Sequence, residues 1–208
     1  MKRFKAFAMA VFIMALISGI ADAGVSGSAS VSVMSNYVWR GFKLSDGVVI
    51  QPSVGITYGG LGANLWANYD TDPGEHDETD LTVSYSFSAE RFSIDTGYIY
   101  YALDGVEDTQ EFYLSVGYDT LLSPAFALYY DFDEGRGAFI TASIGYDLET
   151  SEGIQVSIGA SAGYNLKSEY SIGDFSNLHN GEVSLSMNLP LSKDVTVGPV
   201  MAYSFPPE

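Results

Sequence analysis

Residues Ile154-Gln155-Val156-Ser157-Ile158-Gly159-Ala160-Ser161-Ala162-Gly163-Tyr164 alternate without a break between an apolar series and a small polar one. A period of two places Ile154, Val156, Ile158, Ala160, Ala162 and Tyr164 on one face of a strand, with Gln, Ser and Gly on the other. The pattern recurs along the chain. Leu81, Val83, Tyr85 and Phe87 alternate with Thr82, Ser84, Ser86 and Ser88; Phe92, Ile94, Thr96, Tyr98 and Tyr100 with Ser93, Asp95 and Gly97; Val183, Leu185, Met187 and Leu189 with Ser184, Ser186 and Asn188. Turn-forming Gly, Asp, Asn, Pro and Ser clusters interrupt it, and helical periodicity is nearly absent.

A soluble sandwich and a membrane barrel both produce such stripes, and the polar face separates them. A sandwich exposes Lys, Glu, Thr and Arg to water, whereas this face is Ser, Gly, Thr and Asn, small groups suited to a confined wet interior. The apolar face ends repeatedly in rings, at Tyr58, Tyr69, Phe92, Tyr118, Tyr146 and Tyr164. Interfacial girdles need such residues, because the ring sits at headgroup level while its hydroxyl stays wet. The expected fold is all-β: an up-and-down antiparallel transmembrane β-barrel of ten to twelve strands. Strands are expected at 29–39, 48–58, 61–69, 80–88, 92–101, 111–119, 125–132, 138–147, 154–165, 182–190 and 195–205, several of them close to the ~9–11 residues of a tilted crossing. Long connections are expected on the outer side and short turns, such as Gly59-Gly60, on the inner. Eleven is odd, and would leave first and last strands parallel at closure. Single-chain bacterial barrels have even numbers, so either one strand is miscounted or a final strand is missing, and twelve is the natural completed number.

Composition narrows the function. The chain has 208 residues, 26 Asp+Glu against 9 Lys+Arg, 15 Tyr, 12 Phe and no Cys. This length suits one domain with a sizeable core. A net charge of −17 argues against nucleic-acid partners, which require a basic stripe. The lack of cysteine removes disulfide frameworks, thiolate metal sites and thiol nucleophiles. The start is a separate unit: Lys2, Arg3 and Lys5 precede an apolar run from Ala6 to Ile17 and an A-x-A site at Ala21-Asp22-Ala23. Residues 1–23 read as a secretory signal peptide cleaved after Ala23, and 24–208 as the barrel, in the outer membrane of a Gram-negative bacterium. The signal holds three bases and one acid, so the mature chain carries 6 bases against 25 acids.

The run Ser35-Asn36-Tyr37-Val38-Trp39-Arg40-Gly41-Phe42, followed by Ser45-Asp46-Gly47 and Ile50-Gln51, resembles the opening of the TorF-type porin family, the Gcw-type conserved outer-membrane proteins. The segment Asp95 to Tyr101 and the strand Tyr113 to Tyr118 resemble it too. The likeness spans about residues 25 to 205 and is most specific in the first quarter. It implies an outer-membrane β-barrel with a pore function, and brings no catalytic residues or settled substrate.

Arg40 is one of six cations in the mature chain. With Val31, Val33, Tyr37 and Trp39 facing lipid, Asn36, Val38 and Arg40 face the lumen. Arg40 is then either a constriction element or a brace to inward acids such as Asp95 or Asp131. These four, Asn36, Arg40, Asp95 and Asp131, are the candidate lumen and selectivity residues, and Tyr37 and Trp39 are expected as girdle anchors. Acids cluster at 70–80, 104–111 and 131–134 as solvated outer loops that set the potential at the mouth. The D-x-D start at Asp70 does not continue as a calcium loop, since Gly74 and Leu81 occupy ligand positions. His76 and His179 are expected in outer loops, and no catalytic motif accompanies them, so no enzyme activity, metal or cofactor is expected. The expected function is a porin-like channel for small hydrophilic solutes or ions, cation-preferring, whose partners are outer-membrane lipid, lipopolysaccharide and the solutes. A non-conducting structural or adhesive barrel is the alternative; it would carry bulky inward side chains where this sequence shows Ser, Gly and Ala. The oligomeric state is left open.

Overall fold

A computed structural model describes residues 24–150 and 153–207; the signal segment and its cleavage site lie outside the described residues. The elements are β1 (Val25–Met34), β2 (Val38–Trp39), β3 (Phe42–Lys43), β4 (Val49–Tyr58), β5 (Leu61–Asp70), β6 (Glu75–Ala89), β7 (Phe92–Leu103), β8 (Thr109–Tyr118), β9 (Ala125–Asp131), β10 (Gly137–Glu149), β11 (Gln155–Leu166), β12 (Ser176–Pro190), β13 (Thr196–Val197) and β14 (Val200–Phe205). All pairings are antiparallel, and β1, β4 and then β5 to β12 follow one another in a single sheet. Both β13 and β14 pair with β12. They are one last strand interrupted at Gly198-Pro199, where the Pro199 carbonyl still accepts from the Met187 amide at 3.0 Å. The up-and-down order therefore has eleven long strands.

The two faces differ as the alternation requires. Val31, Val33, Val83, Phe87, Leu114, Phe126, Ile144, Ile158, Val183 and Met201 are all exposed on one face. Asn68, Glu111, Asp131, Phe139 and Asn165 are almost wholly buried on the other. Aromatic residues close the apolar face at the strand ends, for example Phe92 against Tyr118 with ring centroids 4.9 Å apart.

Several expectations are corrected. The first strand spans 25–34 rather than 29–39, and residues 38–43 form a separate hairpin, β2–β3. The outer acidic segment from Asp70 contracts to a turn at 71–74, since β6 begins at Glu75, so Asp77, Glu78 and Asp80 are strand residues. His76 and His179 likewise lie in β6 and β12. Two β-bulges at the long-connection end explain part of this. The β5–β6 register shifts between Asn68 and Tyr69, and the β11–β12 register between Gly163 and Tyr164. Each leaves one residue unpaired, Asp77 and His179, and a bulged residue is re-aimed off its alternation. Asp77 thereby accepts from Asn68 Nδ2 at 2.8 Å.

The sheet is strongly curled. Trp39 and Phe42 are direct partners across the β2–β3 hairpin. Yet Trp39 packs on Tyr101 of β7 (centroids 6.1 Å) and Phe42 on His179 of β12 (4.9 Å). Five strand steps separate β7 from β12, ~24 Å across a flat sheet at the usual spacing. The wall reaches both residues because it bends around the hairpin, with the polar face concave. Among the described residues β1 pairs with β4 alone and β14 with β12 alone, so β1 and β14 carry no pairing to each other.

Candidate functional site

The concave face is crossed at the long-connection end by residues 35–48, which we call the strap. Its feet are tied locally: the Tyr37 amide donates to Ser45 Oγ at 2.6 Å and the Leu44 amide to the Tyr37 carbonyl at 2.7 Å. Asn36 belongs to this knot, its Nδ2 donating to the Ser45 carbonyl at 3.5 Å. The tip is Arg40-Gly41, both with positive φ (49° and 86°). A two-residue hairpin turn of this hand asks for positive φ at both positions, natural for Gly and costly for Arg. Gly41 is also pressed on the wall, for a Cβ there would lie 2.8 Å from Asn180 Cβ. Gly41→Ala is therefore expected to lower stability by at least ~1 kcal/mol, read as a reduced urea midpoint of the refolded protein.

The strained tip delivers Arg40 into the wall. Its Nη1 and Nη2 donate to Glu111 Oε1 and Oε2 at 2.7 and 2.6 Å, and Tyr101 donates its hydroxyl to Oε2 at 2.8 Å. The Arg40 and Glu111 side chains are only 7% and 1% exposed. Three rings face the guanidinium carbon, Trp39 at 4.4 Å, Tyr129 at 4.9 Å and Phe139 at 5.0 Å. Burial is the largest single influence and works against the charge on Arg40, but the Glu111 hydrogen bonds and the Glu111 charge together outweigh it, so its pKa is raised and the guanidinium stays ionised. At the strap's other flank Tyr37 packs on Trp66 of β5, centroids 5.7 Å apart. Burial, and then the Glu78 and Asp80 carboxylates, push the Tyr37 phenol far up, so it faces those acids as a neutral group.

The four sequence candidates are thus separated. Arg40 is paired with Glu111, neither with Asp95 nor with Asp131. Asp131 sits beside Glu111 in register, accepts from Thr109 Oγ1 at 2.7 Å and from the Asp133 amide at 3.0 Å, and is 1% exposed. Asp95 lies on β7 four residues from Ile99, the register partner of Glu111, which places it ~13 Å nearer the short-turn end. It accepts from Ser86 Oγ there, beside a cavity of about 320 Å³ lined by Ser86, Ser88, Ser93 and Ser115. Tyr37 and Trp39, expected as girdle anchors, point into the concavity instead, because the chain leaves the sheet after Met34 and the strap carries both rings across it.

The expected small-residue interior holds only at the short-turn end. At the strap level it is filled by Tyr37, Trp39, Phe42, Trp66, Tyr101, Tyr129 and Phe139. Glu111, Tyr101, Tyr129 and Phe139 were not among the sequence candidates. Glu111 lies in β8 rather than in an outer acidic loop, and its phase with Thr109, Tyr113 and Ser115 is the signal in the sequence that marks it as inward. No protein-family model matches the chain, and no curated protein matches it.

Proposed function

We propose that this chain is an outer-membrane β-barrel whose lumen is the concave polar face, serving as a channel for small hydrophilic solutes or ions with a preference for cations. One observation carries the proposal: the faces are inverted relative to a soluble sheet protein, with large apolar residues outward and a buried Arg–Glu pair inside. Outward aromatics at both strand ends support a bilayer setting. The similarity of residues 35–42 to the TorF-type porins is consistent with it. In lipid, unpaired strand edges cost several kcal/mol per backbone group. We therefore take β1 and the last strand, which run in the same direction, as a seam that closes in the bilayer. The charge balance supports cation preference, since Glu111 offsets Arg40 and acids such as Asp95 and Asp147 remain on the concave face.

The aromatic filling at the strap favours a second reading, a barrel that does not conduct. Planar-bilayer recording of the refolded protein separates the two. A channel gives discrete conductance steps, with reversal potentials showing cation preference at 0.01 M salt that fades towards 1 M, as the Debye length falls from ~30 Å to ~3 Å. Inserted protein without steps supports the closed barrel, and anion preference in dilute salt rejects the selectivity proposed here.

A further inference from the structure

We propose that the wall pocket holding Arg40 is a recognition site for a guanidinium group carried by a solute, and that Arg40 is its built-in competitor. The inference rests on the concave face being a lumen that solutes reach. Apart from Trp39 of the strap, the pocket is made by the wall: Tyr101 comes from β7, Glu111 from β8, Tyr129 from β9 and Phe139 from β10. Sheet pairing holds these four strands side by side, so the pocket persists if the strap moves. Glu111, at 1% exposure, is a buried carboxylate that demands a cation. The oxygens of the neighbouring Asp131 are already engaged by Thr109 and the Asp133 amide, so Glu111 is the carboxylate that takes the fork.

The shape selects the kind of cation. Tyr101 holds the carboxylate by one oxygen, leaving both oxygens presented in the plane that Arg40 now uses as a fork. Ring faces of Tyr129 and Phe139 at 4.9 and 5.0 Å accept a flat, weakly hydrated cation. A hydrated sodium ion matches neither feature. The occupant, by contrast, comes from the strap, whose strands β2 and β3 pair only with each other and not with the wall. Arg40 reaches the pocket from a hairpin tip strained at φ 49° and held to the wall by side-chain contacts. A free guanidinium group makes the same contacts without that strain.

The test uses the full-length protein refolded in detergent micelles, carrying Trp66→Phe so that Trp39 reports on the pocket. Guanidinium chloride is titrated against sodium chloride at equal ionic strength and against urea, its neutral planar analogue. In Arg40→Ala, guanidinium in the low millimolar range is expected to change Trp39 emission saturably and to raise the thermal midpoint, while sodium and urea do neither. The parent with Arg40 intact is expected to need at least ~10-fold more, because a tethered competitor acts at millimolar or greater effective concentration. Adding Glu111→Gln to Arg40→Ala is expected to weaken binding at least ~30-fold, the scale of losing one partner of a buried charge pair. Should Arg40→Ala not fold, Arg40→Gln serves in its place, and the parent's own high-concentration response gives a second measurement. The inference is overturned if the neutral variant responds to guanidinium no more than to sodium, or if the Glu111→Gln combination responds equally. Conduction is not needed for this readout: a non-conducting protein that binds guanidinium sinks the channel proposal alone, and a conducting one that ignores it sinks this inference alone.

Discussion

Glu111→Ala is expected to lower the unfolding free energy of the refolded protein by about 3–5 kcal/mol, because it strands the Arg40 guanidinium in a desolvated site. Arg40 is 7% exposed and cannot turn to water without withdrawing the strap. Tyr101 loses its acceptor as well. The measurement is urea unfolding in detergent or vesicles, followed by tryptophan emission. Arg40→Ala alone should also be costly, since Glu111 is then the uncompensated charge. The double variant should cost clearly less than the sum of the two, because each single change already includes the penalty of an unpaired buried ion. Additive losses would mean that the pair is screened by water, and would remove the Arg40–Glu111 pair as a hold on the strap.

Ile158→Arg should block insertion into bilayers, at about 2–4 kcal/mol for a cation near the membrane midplane. Ile158 is 51% exposed on the outward face, and its neighbours across the sheet are Tyr146 and Leu185. The adjacent Ser157→Arg should fold, since Ser157 faces the concavity and bonds to Asp147, a ready partner for the new cation. Heat-modifiable migration after refolding into vesicles distinguishes folded from unfolded protein in both cases. If Ser157→Arg proved the more harmful, the inside–outside assignment would be reversed, and the membrane reading with it.

Much of the architecture was legible because strand alternation is a local property. Each residue's face depends only on its parity within the strand, so Ile154 to Tyr164 could be assigned inward or outward from sequence alone. The same locality set the eleven strands and the tight turn at Gly59-Gly60, where φ is positive in the structure. Parity failed where the ladder was interrupted. The bulges near Asn68 and Gly163 insert one residue each, and beyond them Asp77 and His179 leave the expected phase. The first strand ended early, at Met34, because nothing local marks where a chain leaves a sheet to pack on its inner face.

What the sequence alone determined is therefore the class of the protein: all-β, antiparallel, apolar on one face and small-polar on the other, strongly acidic. The tertiary structure alone decided the site. Arg40 and Glu111 are 71 residues apart, and any of the acids in phase with the concave face was an equal candidate for Arg40 on sequence grounds. Which one it meets depends on how far the sheet curls and how deep the strap descends, both sums of contacts among all eleven strands. The same curvature turned Tyr37 and Trp39 inward. Pairing parity is written residue by residue, whereas partner choice across the concavity is a property of the whole wall.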